Sequence, residues 1–291
     1  MTYYLQQTLN ALQTGSIYAL IAMGYTMVYG ILTMINFAHG DVFMVGAFFC
    51  LLAVTFLGLS FIPALLCAML GCALLGVLIE RLAYNPMRDA PRMSLIITAL
   101  GMGLILEHVT LAITPYSQKM PDLLPLYSWV IGGVHFTSLQ AAIILLSILL
   151  MFGLDFFVRR TTFGIAIRAI AWDRTTTSLM GVPVNRIISL TFALGAALAG
   201  AAGTLYAMAY PVIDPYMGVM IGWKAFIAAV IGGIGNIRGA ILGAYILGAV
   251  EIFVAAAIPS TYRDFVAFAL LLVLLIIRPH GILGQPRPEK V

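Results

Sequence analysis

The stretch VFMVGAFFCLLAVTFLGLSFIPALLCAMLGCALLGVLI, residues 42–79, holds 38 residues and not one Asp, Glu, Lys or Arg. About 20 apolar residues at 1.5 Å rise cross the hydrocarbon of a bilayer, so this run holds two spans. The break falls at Gly58-Leu59-Ser60, which divides it into Val42–Leu57 and Phe61–Ile79. Outward from it the pattern repeats. Residues 1–40, 123–154 and 187–213 are also free of those four residue types. Charged residues make up 9% of the chain and hydrophobic ones 62%, against roughly 25% charged in a soluble domain. The composition excludes an ordinary soluble fold and predicts an all-α polytopic membrane protein, a bundle of about eight to nine transmembrane helices with broken or re-entrant segments. It forms one transmembrane domain over residues 1–291.

Hydropathy places further spans at Thr8–Tyr29, Ser94–Ile113, Ser138–Phe157, Ile187–Met208 and Tyr262–Ile277. The first has nothing basic before it and no polar domain after it, so it reads as a retained span rather than a cleaved signal. Residues 219–257 have room for two more, but Gly232-Gly233-Ile234-Gly235-Asn236-Ile237-Arg238-Gly239 interrupts them. Either two helices meet there at a tight turn, or a half-helix re-enters the membrane.

The positive-inside rule orients the bundle. Arg81, Arg88 and Arg92 fall on one side, with Arg159, Arg160, Arg168, Arg174 and Arg186, then Arg238, and finally Arg278, Arg287 and Lys290. Lys119, Lys224 and Arg263 fall on the other. The N-terminus is therefore expected outside and the C-terminus in the cytoplasm. The net charge of +4 reflects this topology; no basic run with interleaved aromatics points to nucleic acid. Residues 114–137 make the largest outer piece, too small for a receptor domain. Residues 158–186 make the longest inner piece, in which Gly164–Trp172 reads as a short helix at the membrane surface.

Close helix packing is expected at Gly235, Gly239 and Gly243, spaced by four, and along Gly195–Gly203. Val130-Ile131-Gly132-Gly133-Val134 resembles Val230-Ile231-Gly232-Gly233-Ile234, which alone does not establish a repeat. Cys50, Cys67 and Cys72 are odd in number and lack metal-ligand spacing, so they read as packing residues.

No HExxH, GxSxG or GxxxxGK[ST] constellation occurs, so a membrane enzyme is disfavoured and ATP hydrolysis by this chain is not expected. Burying charge in hydrocarbon is costly, which makes Asp41, Glu107 and Glu251 candidates, with His39 beside the first. Glu107 and Glu251 have a plain reading as partners of Lys224 or Arg263, and a second as polar groups on a solute path. Asn36-Phe37-Ala38-His39-Gly40-Asp41 is either an inner loop or a break between half-helices that presents helix ends to a zwitterionic solute.

Particular strings carry a resemblance. Gly15-Ser16-Ile17-Tyr18-Ala19-Leu20-Ile21-Ala22-Met23-Gly24-Tyr25-Thr26-Met27-Val28-Tyr29-Gly30, followed by Ile35-Asn36-Phe37-Ala38-His39-Gly40-Asp41, closely resembles the start of the LivH-type permease subunits of branched-chain amino acid ABC importers. Lys224–Asn236 resembles the glycine-rich late segment of that family, and Gly281-Ile282-Leu283-Gly284 its C-terminal end. Gly164, Ala166, Arg168, Ala169, Asp173 and Gly181 resemble the loop that couples such permeases to their ATPases.

The resemblance implies a bacterial inner-membrane subunit that works with a second, LivM-like permease, two cytoplasmic ABC ATPases and a periplasmic substrate-binding protein. No cofactor is implied in this chain; ATP and Mg are expected on the ATPases. Branched-chain amino acids (leucine, isoleucine and valine) are the first expected cargo, with urea, short amides or another amino acid as alternatives. A channel or proton-coupled carrier working alone, with Asp41, Glu107 and Glu251 as relay groups, is the rival class. The residues implicated are Asn36, His39, Asp41 and Glu251 for the solute path and Gly164, Arg168, Ala169, Asp173 and Gly181 for coupling within 158–186. Gly232, Gly233, Gly235, Gly239 and Gly243 are candidates for hinge or packing. Two departures stand out. Arg238 replaces a more usual Pro, so a less fixed turn is expected there, and Glu107 stands where a neutral polar residue would fit.

Overall fold

Eleven α-helices appear among the residues that the computed structural model describes, 2–88 and 90–284. Arg287, Lys290 and the side chain of Arg92, all counted on the inner side, lie outside what is described. Eight helical stretches are long and apolar enough to cross a membrane. They contain α1 (Thr2–Leu32), α2 (His39–Leu57), α3 (Phe61–Ile79), α4 (Arg92–Ile113), α5 (Ser138–Arg160), α8 (Val184–Ala209), α10 (Ile237–Ala257) and α11 (Arg263–Ile277). A shorter apolar helix, α9 (Met217–Gly232), has 16 residues, or about 24 Å. Two short helices, α6 (Thr162–Trp172) and α7 (Arg174–Leu179), occupy the expected inner segment.

The ambiguous stretch resolves into two helices, α9 and α10, joined by a tight turn. Gly233 and Gly235 take φ of 105° and 95°, a region open mainly to glycine. The Asn236 side chain then caps α10 by accepting from the N–H groups of Arg238 and Gly239. Arg238 thus does not loosen the turn as its departure suggests: its N–H, which Pro would lack, makes a cap bond of 3.1 Å. Gly232, Gly239 and Gly243 bring the α9 and α10 backbones into contact. Residues 281–284 lie against the turn: Ile282 and Leu283 donate N–H to the carbonyls of Ile231 and Gly232, both at 2.9 Å, and Asn236 Nδ2 donates to the Leu283 carbonyl. Two strings that resemble the same family at distant positions therefore bind each other.

Small residues set the rest of the bundle. Helix α1 packs on α10 where Gly15 and Gly248 meet, and on α8 where Gly24 faces Gly195. Helix α8 meets α2 through Gly46 against Gly200, and α3 through Gly76 against Phe192. Lipid supplies no hydrophobic drive between helices, so such backbone approach is what favours association. Helix α11 is peripheral: only Ala267 of it is buried, and Leu272, Ile276 and Ile277 face outward.

Residues 114–137, expected outside, are more ordered than a plain loop. Strands β2 (Ser128–Ile131) and β3 (Val134–Thr137) form an antiparallel hairpin turned by Gly132 and Gly133, both at positive φ. Strands β1 (Gln118–Lys119) and β4 (Val212–Ile213) form a second antiparallel pair. The two similar pentapeptides differ in structure, one a hairpin turn and the other a helix end, so they are not a repeat.

Candidate functional site

Helix α1 ends at Leu32, and Thr33 takes φ of 55°. Left-handed backbone is strained for a β-branched residue. Six residues later α2 begins, inside the bundle rather than at its edge. His39 lies against Gly24, eight residues before the end of α1, and Asp41 lies against Gly103, midway along α4. The segment is thus neither a plain inner loop nor a break between half-helices. It joins two full-length helices, and its far end reaches into the protein.

Asn36, His39 and Asp41 are all buried there. Asn36 Oδ1 accepts a hydrogen bond of 2.7 Å from the Tyr84 hydroxyl. The His39 ring stands edge-on to Tyr25, centroids 4.7 Å apart. The N-terminal ends of α2 and α9 meet at this point. A methyl added to Gly218 would stand 2.6 Å from the Gly40 carbonyl oxygen and 2.9 Å from Asp41 Oδ1, so only glycine permits the approach. Among the described residues, Asp41 Oδ1 and His39 Nε2 have no hydrogen-bond partner. Glu107 is also buried, one turn beyond Gly103, and its carboxyl is close enough to that of Asp41 for the two to interact. It does not pair with Lys224 or Arg263. Three of the four path candidates therefore come together, with Glu107 added.

Glu251 belongs to a separate group. Lys224, counted outside by charge, is inside α9 and 7% exposed. Its Nζ lies 3.1 Å from Glu251 Oε1 and 2.7 Å from Asp264 Oδ1. Tyr18 donates to the other Glu251 oxygen at 3.0 Å. The group ties α1, α9, α10 and α11 together. Of the two plain partners offered to Glu251, the structure selects Lys224.

On the inner segment, Thr161 caps α6 by accepting from the Gly164 N–H, and Asp173 caps α7 by accepting from Thr175 and Thr176. Gly164 passes so close to Val158 that a side chain has no room, and Arg168 donates to the Val158 carbonyl at the end of α5. Ala169 lies on the turn that carries Arg168, and its carbonyl accepts the Asp173 N–H. Gly181 takes φ of 81° just after α7, the usual place for a helix-ending glycine. Trp172, Leu179 and Met180 are each at least 76% exposed.

The sequence reading missed one cluster. Helix α3 continues into a π-helical turn, Glu80–Tyr84, a form found often at functional sites. Glu80 and Arg88 form a buried ion pair. Ser189 donates to the second Glu80 oxygen at 2.6 Å, and Arg88 donates to Asn185 at 2.6 Å. The available signal was an acid placed immediately after 38 uncharged residues.

The fold is a bundle of closely packed spans with buried polar side chains at its centre. The profile of the family described as "Branched-chain amino acid transport system / permease component" matches residues 7–275, and the chain belongs to that family. It is 45% identical over 303 residues to the high-affinity branched-chain amino acid transport system permease protein BraD of Pseudomonas aeruginosa, covering 99% of this chain and 98% of BraD. It is 43% identical over 307 residues to LivH of Escherichia coli, with the same coverage. A partial likeness, 33% over 125 residues, reaches the autoinducer 2 import system permease protein LsrC of Klebsiella pneumoniae, covering 40% of this chain and 36% of LsrC.

Proposed function

We propose that this chain is the membrane-spanning permease subunit of an ATP-driven importer for leucine, isoleucine and valine in the bacterial inner membrane. The observation that carries this reading is its likeness to BraD and LivH over nearly the full length of both chains. A periplasmic binding protein delivers the solute, a second, related permease completes the path, and two cytoplasmic ATPases bind ATP and Mg and supply the energy. The N-terminus is periplasmic and the C-terminus cytoplasmic. Moving Lys224 from an outer loop into the bundle sharpens the charge asymmetry that supports this orientation.

Helices α6 and α7 are the docking element for an ATPase. They present Arg168 with exposed Trp172, Leu179 and Met180, apolar side chains of a kind that partner surfaces cover. The group around Asn36, His39 and Asp41 gates the solute, because it places unpartnered polar atoms where two helix N-termini meet. The test is co-expression with the second permease and the ATPases, followed by purification as one complex. With binding protein present, leucine should stimulate ATP hydrolysis while urea and acetamide do not. A chain that purifies alone and shows no such stimulation refutes the reading.

A further inference from the structure

We infer that Tyr84 is a positioning residue that links the start of α8 to the break between α1 and α2, through the ion pair of Glu80 and Arg88. The inference rests on the reading of α6 and α7 as the ATPase-docking element.

The connection can be followed atom by atom. Helix α8 begins two residues after Val182, directly beyond α7. Its Asn185 and Ser189, one turn apart, hold the two sides of the buried pair: Asn185 accepts from Arg88 and Ser189 donates to Glu80. Glu80 opens the π turn, whose i→i+5 bond runs from the Asn85 N–H to the Glu80 carbonyl at 2.7 Å. Tyr84 closes that turn. Its ring packs on Phe192 of α8, centroids 5.2 Å apart, and its hydroxyl donates to Asn36. The Asn36 carbonyl in turn accepts the His39 N–H at 3.1 Å. Displacement of the first two turns of α8 thus reaches the first turn of α2 through bonded contacts.

Two features favour a moving part over simple packing. A buried ion pair is seldom worth more than apolar side chains of equal volume, and in a membrane its desolvation is costly. Packing alone gives no reason for Glu80, Arg88 and the Tyr84 hydroxyl. The segment they hold also begins at Thr33, whose strained backbone persists only where its surroundings enforce it. A π turn is frequent at functional sites, and backbone strain clusters in switch regions.

The test uses the whole complex in liposomes, with binding protein inside or outside as the assay requires, and reads leucine taken up per ATP hydrolysed. Tyr84→Phe keeps the ring and removes only the hydroxyl. It should retain stimulated ATP hydrolysis within about twofold while uptake per ATP falls at least fivefold. Ser189→Ala, on the far side of the link and away from the break, should give the same split and serves if the first variant fails to assemble. Uptake per ATP equal to wild type in both variants overturns the inference. So does a proportional fall in uptake and hydrolysis, which marks a merely structural role. Arg168→Glu in the same assay separates the two ideas: undiminished stimulation there refutes the docking reading, whatever Tyr84→Phe shows.

Discussion

Lys224 Nζ stands 3.1 Å from Glu251 Oε1, and neither residue is more than 7% exposed. One cation in the interior of the bundle thus meets two acids, because Asp264 at the start of α11 lies 2.7 Å from the same nitrogen. The α9–α10 hairpin is fastened by charge at this point and by glycine contacts at its turn.

Removing the cation leaves Glu251 buried with only Tyr18 to hydrogen-bond it. Breaking one side of a buried pair typically costs about 3–5 kcal/mol. Lys224→Met should therefore lower the thermal unfolding midpoint in detergent strongly, whereas adding Glu251→Gln to it should recover much of the loss. Equal midpoints for Lys224→Met and wild type would show that the pair carries no stability.

Glycine contacts provide a contrast within one residue type. A methyl at Gly203 meets the Phe43 carbonyl oxygen, whereas Gly153 in α5 has nothing within 4 Å. Overpacking of that kind costs roughly 1–3 kcal/mol, and an open helical Gly→Ala change gains up to about 1 kcal/mol. Gly203→Ala should destabilise the detergent-solubilised protein and Gly153→Ala should not, as read by unfolding midpoints.

Asp41 sits where α2, α4 and α9 meet, with one oxygen unpartnered. Asp41→Ala should reduce uptake at least tenfold while the complex still purifies intact. Normal uptake kinetics in that variant would remove Asp41 from the gate.

In helix α6, Arg168→Glu replaces a donor to the Val158 carbonyl with an acid that repels it. It should abolish solute-stimulated ATP hydrolysis without affecting insertion, measured as stimulated over basal rate in the reconstituted complex.

The spans were legible because lipid tolerates so little charge that the gaps between charged residues outline the helices. Lys224 is the exception: a lone cation in an apolar stretch shows no partner in the sequence, and its two acids are brought to it by α10 and α11. For Glu107 the ion-pair reading fails on the same ground, since the carboxyl beside it, on Asp41, is 66 residues away and of like charge. Asn36, His39 and Asp41 stood out as the polar interruption they are, but their depth depends on Gly24, Gly103 and Gly218, which only the packing reveals. Arg88 was read as an ordinary inner-loop charge, and nothing local tells that a π turn folds it back on Glu80. The hairpin at Gly132-Gly133 is legible in its Gly-Gly turn between β-branched residues.

We propose that this chain moves branched-chain amino acids only as part of an ATP-driven complex. It is tested most directly by labelled leucine uptake into liposomes that hold the chain alone or with its second permease and ATPases, with binding protein and ATP supplied. Uptake should appear only with the full complex and ATP, and should compete with isoleucine and valine. Leucine accumulation by the chain alone, driven by an ion gradient or by none, would contradict it.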